Sequence, residues 1–229
     1  MKFMCPAFLS LSFVFISINL GAVTPENSHD SIAALVEYHD SGQYLYELTM
    51  VVEKAEKNLR EQIEQKYSIS KKLAVVFDVD ETMVSNYDNI YQYLSDFSLN
   101  MGLLHDGKTI TMSYNNKIAP RVIPPILRLY NSVKNHGITI FIITGDQDTY
   151  RKFATEKLMR LGYSGWKTLY MKPSDYDKPS VIPYKSKIRQ QIFDKGYRIL
   201  FSIGDQYSDL LGGYADKIYK LPNPYYFIP

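Results

Sequence analysis

Between Leu73 and Thr82 an apolar run, Leu-Ala-Val-Val-Phe, breaks into Asp78, Val79, Asp80, Glu81 and Thr82. A run so rich in β-branched and aromatic residues reads as a strand buried on both faces, as in a parallel sheet. In such a strand Asp78 and Asp80 share one face. Past its end they project into the crevice where open α/β sheets bind ligands. Two carboxylates at that spacing repel each other unless a cation sits between them. The pair therefore asks for a divalent metal with oxygen ligands, Mg²⁺ foremost. The same residues also have a plainer reading, a helix N-cap in which Asp80 or Thr82 accepts backbone N–H groups.

The 229 residues suit one domain, with or without an appended subdomain. A hydrophobic fraction of 45% with 22% charged residues is globular usage rather than that of a disordered chain. A net charge of +2 and the lack of a basic cluster argue against a nucleic-acid polymer as partner. The 20 tyrosines are mostly dispersed, which suits packing better than base stacking.

The start of the chain is a separate object. Lys2, the largely apolar Phe3 to Leu20, and small residues from Gly21 describe a secretory signal peptide over residues 1–23. Ser10, Ser12, Ser17, Asn19 and Pro6 weigh against the rival reading, an uncleaved membrane anchor. The expected destination is secreted or periplasmic, with no membrane attachment in the mature form. Cys5 is the only cysteine. A mature chain would then hold no disulfide, thiolate metal site or cysteine nucleophile.

Asp30 to about Lys66 reads as helix, broken near Ser41-Gly42, with Leu48, Val51, Val52, Ala55, Leu59 and Ile63 on one face. Ser85 to about Pro125 reads as irregular, and residues 86–125 as a cap-like insert, since so long a segment is usually a lid or binding element. Beyond it, Ile126–Asn135, Asp148–Leu161 and Lys185–Lys195 read as helices. Strands are expected at Gly137–Thr144, Trp166–Met171, Tyr197–Ile203 and Lys217–Lys220. Such alternation implies an α/β fold with a parallel sheet and right-handed crossovers. Three strands then end in polar residues on one sheet edge: Asp78-Val-Asp80, Thr144-Gly145-Asp146 and Gly204-Asp205 with Asp209. Singly, each would more often be a plain turn.

Together these segments resemble the haloacid dehalogenase (HAD) superfamily, in its acid phosphatase branch of plant vegetative storage proteins and bacterial secreted acid phosphatases. The resemblance rests on Phe77-Asp-Val-Asp-Glu-Thr82, Ser85-Asn86, Ile143-Thr-Gly145, Arg151, Gly162-Tyr-Ser-Gly-Trp166 and Tyr184-Lys-Ser186 with Arg189. It continues in Gly204-Asp-Gln-Tyr-Ser-Asp-Leu-Leu-Gly212 and Leu221-Pro-Asn-Pro224. It implies a Rossmannoid three-layer fold with a central parallel sheet, N-terminal helices and a small cap-like insert, over residues 24–229.

The resemblance also implies roles. Asp78 is the nucleophile, and Asp80 the general acid and then general base. Mg²⁺ is held by the Asp78 carboxylate, the Asp80 carbonyl and Asp205, with Asp209 binding directly or through water. Thr144 and the Gly145 N–H meet the phosphoryl oxygens, and Lys185 neutralises nucleophile and phosphate. The implied substrate is a small phosphomonoester. A phosphate dianion approaching a carboxylate requires such cations, and the proton that Asp80 must deliver predicts an acidic activity optimum. Asp146 departs from the basic residue many relatives carry there, and is expected to cap the following helix.

A catalytically weak storage or binding protein on the same scaffold is the main alternative. A phosphate-receiving signalling domain is disfavoured by export and by Asp80, and dehalogenation by Asp80. Histidine phosphatase, serine hydrolase and P-loop patterns are absent from the sequence. Substrate preference and oligomeric state are not encoded in these motifs.

Overall fold

Tyr44, Leu48, Val52, Ala55 and Leu59 fall on one stripe of a helix and are all buried. In the computed structural model, which describes residues 12–13, 25–64, 72–101, 113–114 and 118–228, they belong to α2 (Gln43–Glu64). α1 (Pro25–Asp40) precedes it across the Ser41-Gly42 break, where Gly42 adopts a φ of 86°. Before them lies the two-residue strand β1 (Ser12–Phe13). The rest of the expected signal peptide is outside the described residues.

Next come β2 (Lys72–Phe77), β3 (Val84–Ser85), α3 (Tyr87–Met101), β4 (Ser113–Tyr114) and β5 (Arg121–Val122). They are followed by α4 (Pro124–Asn135), β6 (Thr139–Gln147), a 3₁₀ turn (Asp148–Tyr150), α5 (Arg151–Arg160) and β7 (Thr168–Lys172). The chain then forms α6 (Ile182–Asp194), β8 (Tyr197–Gly204), the one-turn α7 (Tyr207–Leu210) and β9 (Ala215–Lys220).

Five strands form one sheet in the order β7-β6-β2-β8-β9, and every neighbouring pair is parallel. The chain leaves β2 for β6 on one side and reaches β8 on the other, so the strand order reverses around β2. Alternation along the strands builds two cores. Val75, Phe77, Ile140, Ile142, Phe201 and Ile203 pack with residues of α2, α4 and α5, whereas Ala74, Val76, Phe141 and Ile143 pack with Ile188 and Ile192 of α6. This is the three-layer α/β arrangement expected for the HAD-like fold. In β8 the pairing passes from Ile199 to Phe201 as β2 advances one residue, so Ile199 joins the α6 side and Phe201 the opposite layer.

The segment read as irregular from Ser85 to Pro125 differs from expectation. Fifteen of its residues form α3, with Ile90 buried and Leu94 packed against the core. α3 runs against α1 rather than the sheet, so it needs only a narrow apolar stripe, and its tyrosines obscure the period. β3 and β5 pair antiparallel, Val84 opposite Val122 and Ser85 opposite Arg121, drawing together the two ends of the segment. β4 pairs with β1.

Two boundaries also shift. α6 begins at Ile182, three residues before Lys185, because Pro183 is accepted in a first helical turn. β6 continues past Thr144 to Gln147, which pairs with Lys172 across a register shift. Among the described residues no helix is long and apolar enough to cross a membrane.

Candidate active site

Register places Phe77 beside both Ile142 and Ile203, so Asp78 emerges from the middle of the sheet between the ends of β6 and β8. Its N–H donates to the Ile203 carbonyl at 3.0 Å, extending the ladder by one rung. The chain then turns back sharply. Thr82, Met83 and Val84 all donate to the Val79 carbonyl, and Glu81 takes a φ of 50°. A non-glycine residue in that region is strained, and such strain concentrates where a loop has to present side chains.

Lys185, only 2% exposed, reaches from α6 into this loop. Its Nζ donates to Asp78 Oδ1 and to Asp209 Oδ1, each at 2.6 Å. Burial alone would strip its proton, but Asp209 and Asp78 outweigh that and hold the ammonium well above its usual range.

Asp205 comes from the turn between β8 and α7, and Asp209 from α7 itself. Asp205 accepts from Thr82 Oγ1 at 3.2 Å, Gln206 Nε2 at 2.9 Å and Asn223 Nδ2 at 2.6 Å. Asp209 Oδ2 accepts the Gln206 N–H at 2.8 Å in a capping box. Arg189, fully buried in α6, donates to the carbonyls of Asp209, Leu211 and Gly213, which fixes the path of this loop.

Asp78, Asp205 and Asp209 each offer a carboxylate oxygen within 4.8 Å of the others. Three carboxylates against one ammonium leave a buried excess of negative charge. Burial, followed by the charge of Asp209, pushes Asp78 well above the carboxylate range and Asp205 up to about 7. A hard divalent cation with oxygen ligands fits this donor set and would remove the mismatch. The Asp80 carboxylate stands outside the trio. Its Oδ1 accepts from Asn86 Nδ2 at 3.1 Å and pairs with Lys157 Nζ at 3.4 Å.

Thr144 is buried, and its Oγ1 accepts the Asp146 N–H at 3.0 Å, which leaves the hydroxyl proton free to donate elsewhere. Gly145 follows it in β6. Asp146 is not the expected helix cap: it lies in β6, and Gln147 and Tyr150, the residues at the two cap positions, make no side-chain cap bond. Instead its carboxyl stands near Asp80, Lys157 and Lys185. Burial and then the charge of Asp80 push it up to about 6, against the pull of Lys157, Lys185 and Lys172.

Four contributors escape sequence reasoning in their roles here. Lys157 sits between Ala154 and Leu158 on the buried side of α5, and that helical position was the available signal. Gln206 donates to its neighbour Asp205, and Asn223 to the same carboxylate from 18 residues further on, bonds that residue spacing does not reveal. Arg189 figures in the resemblance, but nothing in its spacing indicates the loop it holds. Of the tyrosines of α3, Tyr87 stacks on His39 with ring centroids 3.4 Å apart, and Tyr91 is exposed.

A parallel sheet that brings an acidic loop, a hydroxyl and a buried lysine to its carboxyl edge defines an α/β protein with a cation-ready crevice. The chain belongs to the HAD superfamily, subfamily IIIB (acid phosphatase), whose family description matches residues 19–229.

Among similar proteins, acid phosphatase 1 of Solanum lycopersicum is 35% identical over 154 residues, covering 67% of this chain and 58% of that protein. Vegetative storage protein 1 of Arabidopsis thaliana is 30% identical over 154 residues, covering 67% and 55%. The chain thus spans less than two thirds of the length of these relatives. A class C acid phosphatase from Bacillus anthracis, solved with tungstate bound, shares the fold with a TM-score of 0.65 at 17% identity, covering 87% of this chain and 86% of that one.

Proposed function

We propose that this chain is an exported, Mg²⁺-dependent acid phosphatase that hydrolyses small phosphate monoesters through an aspartyl-phosphate on Asp78. The observation that carries the reading is the Lys185 ammonium held at 2.6 Å from both Asp78 and Asp209 inside a trio of buried carboxylates. An ammonium and three carboxylates that converge at the switch point of a parallel sheet suit a phosphate ester better than a neutral ligand.

Asp78, Asp205, Asp209 and the Asp80 carbonyl would hold the metal, which supplies positive charge against the phosphoryl oxygens. An Asp78 oxygen attacks phosphorus while the bond to the leaving oxygen breaks, and Asp80 gives that oxygen its proton. Asp80 then takes a proton from water as the water oxygen attacks phosphorus. The bond to Asp78 breaks, phosphate leaves, and Asp80 is protonated again. Thr144 donates its free hydroxyl proton to a phosphoryl oxygen beside the Gly145 N–H, and Lys185 offsets charge throughout.

A storage or binding role is favoured by the relatives named as vegetative storage proteins. Against it stands the presence of Asp78, Asp80, Thr144, Lys185, Asp205 and Asp209 together in this chain, with Asp78, Lys185, Asp205 and Asp209 joined at one edge of the sheet. Export rests on the apolar stretch Phe3 to Leu20, ahead of α1. The β3–β5 pair supports treating residues 86–125 as an insert on a domain of residues 24–229. The test is phosphate release by the purified protein from a panel of monoesters, with and without Mg²⁺, beside Asp78→Asn. Release that needs Mg²⁺ and vanishes in the variant is expected. Metal-independent release, or an active variant, overturns the mechanism.

A further inference from the structure

Lys157 is the one charged residue of α5 that is buried, at 5% exposure, while Arg151, Lys152, Glu156 and Arg160 face outward. An unpaired ammonium in such a place would be strongly disfavoured, as any buried ion is. Its partner is Asp80, with Nζ to Oδ1 at 3.4 Å, and Asp146 adds a second negative charge near the same ammonium. The other anchor on Oδ1 is Asn86 Nδ2, at 3.1 Å, from the opposite side in sequence.

From this we infer that Lys157 is the positioning residue for Asp80, aiming the carboxyl that protonates the departing alcohol. The inference rests on the phosphatase reading above. Two donors from different elements converge on a single oxygen of Asp80. That fixes the side-chain torsion and leaves Oδ2 to carry the transferable proton. Lys157 touches neither phosphate nor leaving group in this scheme.

A misaimed general acid is felt in proportion to how badly the leaving oxygen needs a proton. An alkoxide cannot depart without one, whereas 4-nitrophenolate can. The experiment compares kcat/KM of wild type, Lys157→Met, Lys157→Gln and Lys157→Arg, with Mg²⁺, on a simple alkyl phosphate and on 4-nitrophenyl phosphate. Lys157→Met is expected to lose about 100-fold on the alkyl ester and about 5-fold or less on the aryl ester. Lys157→Arg is expected to recover most of the alkyl rate.

Equal losses on both esters, or no loss on either, overturn the inference while leaving the phosphatase reading intact. If Lys157→Met does not fold, as judged by its thermal transition, Lys157→Gln has to show the selective alkyl loss and Lys157→Arg the recovery. Failure of that contrast also overturns it. A wild-type protein that hydrolyses neither ester removes the phosphatase reading, and this inference with it.

Discussion

A Cβ at Gly204 would lie 2.6 Å from the Cβ of Asp209 and 2.7 Å from its Oδ2. The missing side chain is what lets α7 fold tightly over the end of β8 and aim Asp209 at Lys185. Gly204→Ala must therefore push Asp209 away or shift the loop, at a cost of about 1–3 kcal/mol. We expect a lower thermal midpoint and at least a tenfold loss of phosphate release, measured by calorimetry and a steady-state assay. Unchanged activity would mean that Asp209 tolerates displacement.

Metal-free protein should lose stability as pH rises. Asp205 stands at about 7 and Glu81 at about 8, both raised first by burial, above the ordinary carboxylate value of about 4. The folded state then holds more protons than the unfolded one across that interval. Stability is full below about pH 4 and falls as pH climbs through 7, by an amount on the order of 4 kcal/mol for Asp205 at most. Thermal scans from pH 4 to 8 with a chelator test this. Mg²⁺ should flatten the decline by satisfying the carboxylates directly.

Asn223 Nδ2 donates to Asp205 Oδ2 at 2.6 Å, the shortest of the bonds to that carboxylate. Asn223→Ala leaves the orientation of Asp205 to Gln206 and Thr82. The Mg²⁺ concentration giving half-maximal activity should rise about 10- to 100-fold, with a smaller change in the saturated rate. Titration of activity with Mg²⁺ separates the two.

Arg189→Met removes a fully buried guanidinium and strands the carbonyls of Asp209, Leu211 and Gly213. The expected cost is about 3 kcal/mol or more, a fall of roughly 10 °C in the thermal midpoint. Arg189→Lys should recover little, because one ammonium cannot span three carbonyls in a fixed fork.

The three central strands, β2, β6 and β8, were legible because each is largely buried. The runs ending at Phe77, Ile143 and Ile203 carry almost no polar residue before the carboxyl edge of the sheet, so their type can be read directly, although β6 continues to Gln147. Asp78, Thr144 and Asp205 follow from the ends of those runs, and Lys185 from the resemblance. α3 was not legible. Packing on α1 asks little of it, and Tyr87 and Tyr91 serve equally in a helix or a loop. Asp146 was misread as a cap because the bulge that keeps it in β6 depends on Gln147 meeting Lys172, a pairing 25 residues apart. Lys157 was missed because a lysine in Arg-Lys-Phe-Ala-Thr-Glu-Lys looks solvated until Asp80 is seen above it.

Of the features described, the two-rung β3–β5 pair has the widest reach. It sets Ser85 beside Arg121 next to the acidic loop, while Asn86 just beyond it holds Asp80 and Ile90 of α3 sits in the core. A substitution that opens this two-rung clamp should thus be felt first at Asp80, through Asn86, before it reaches the sheet.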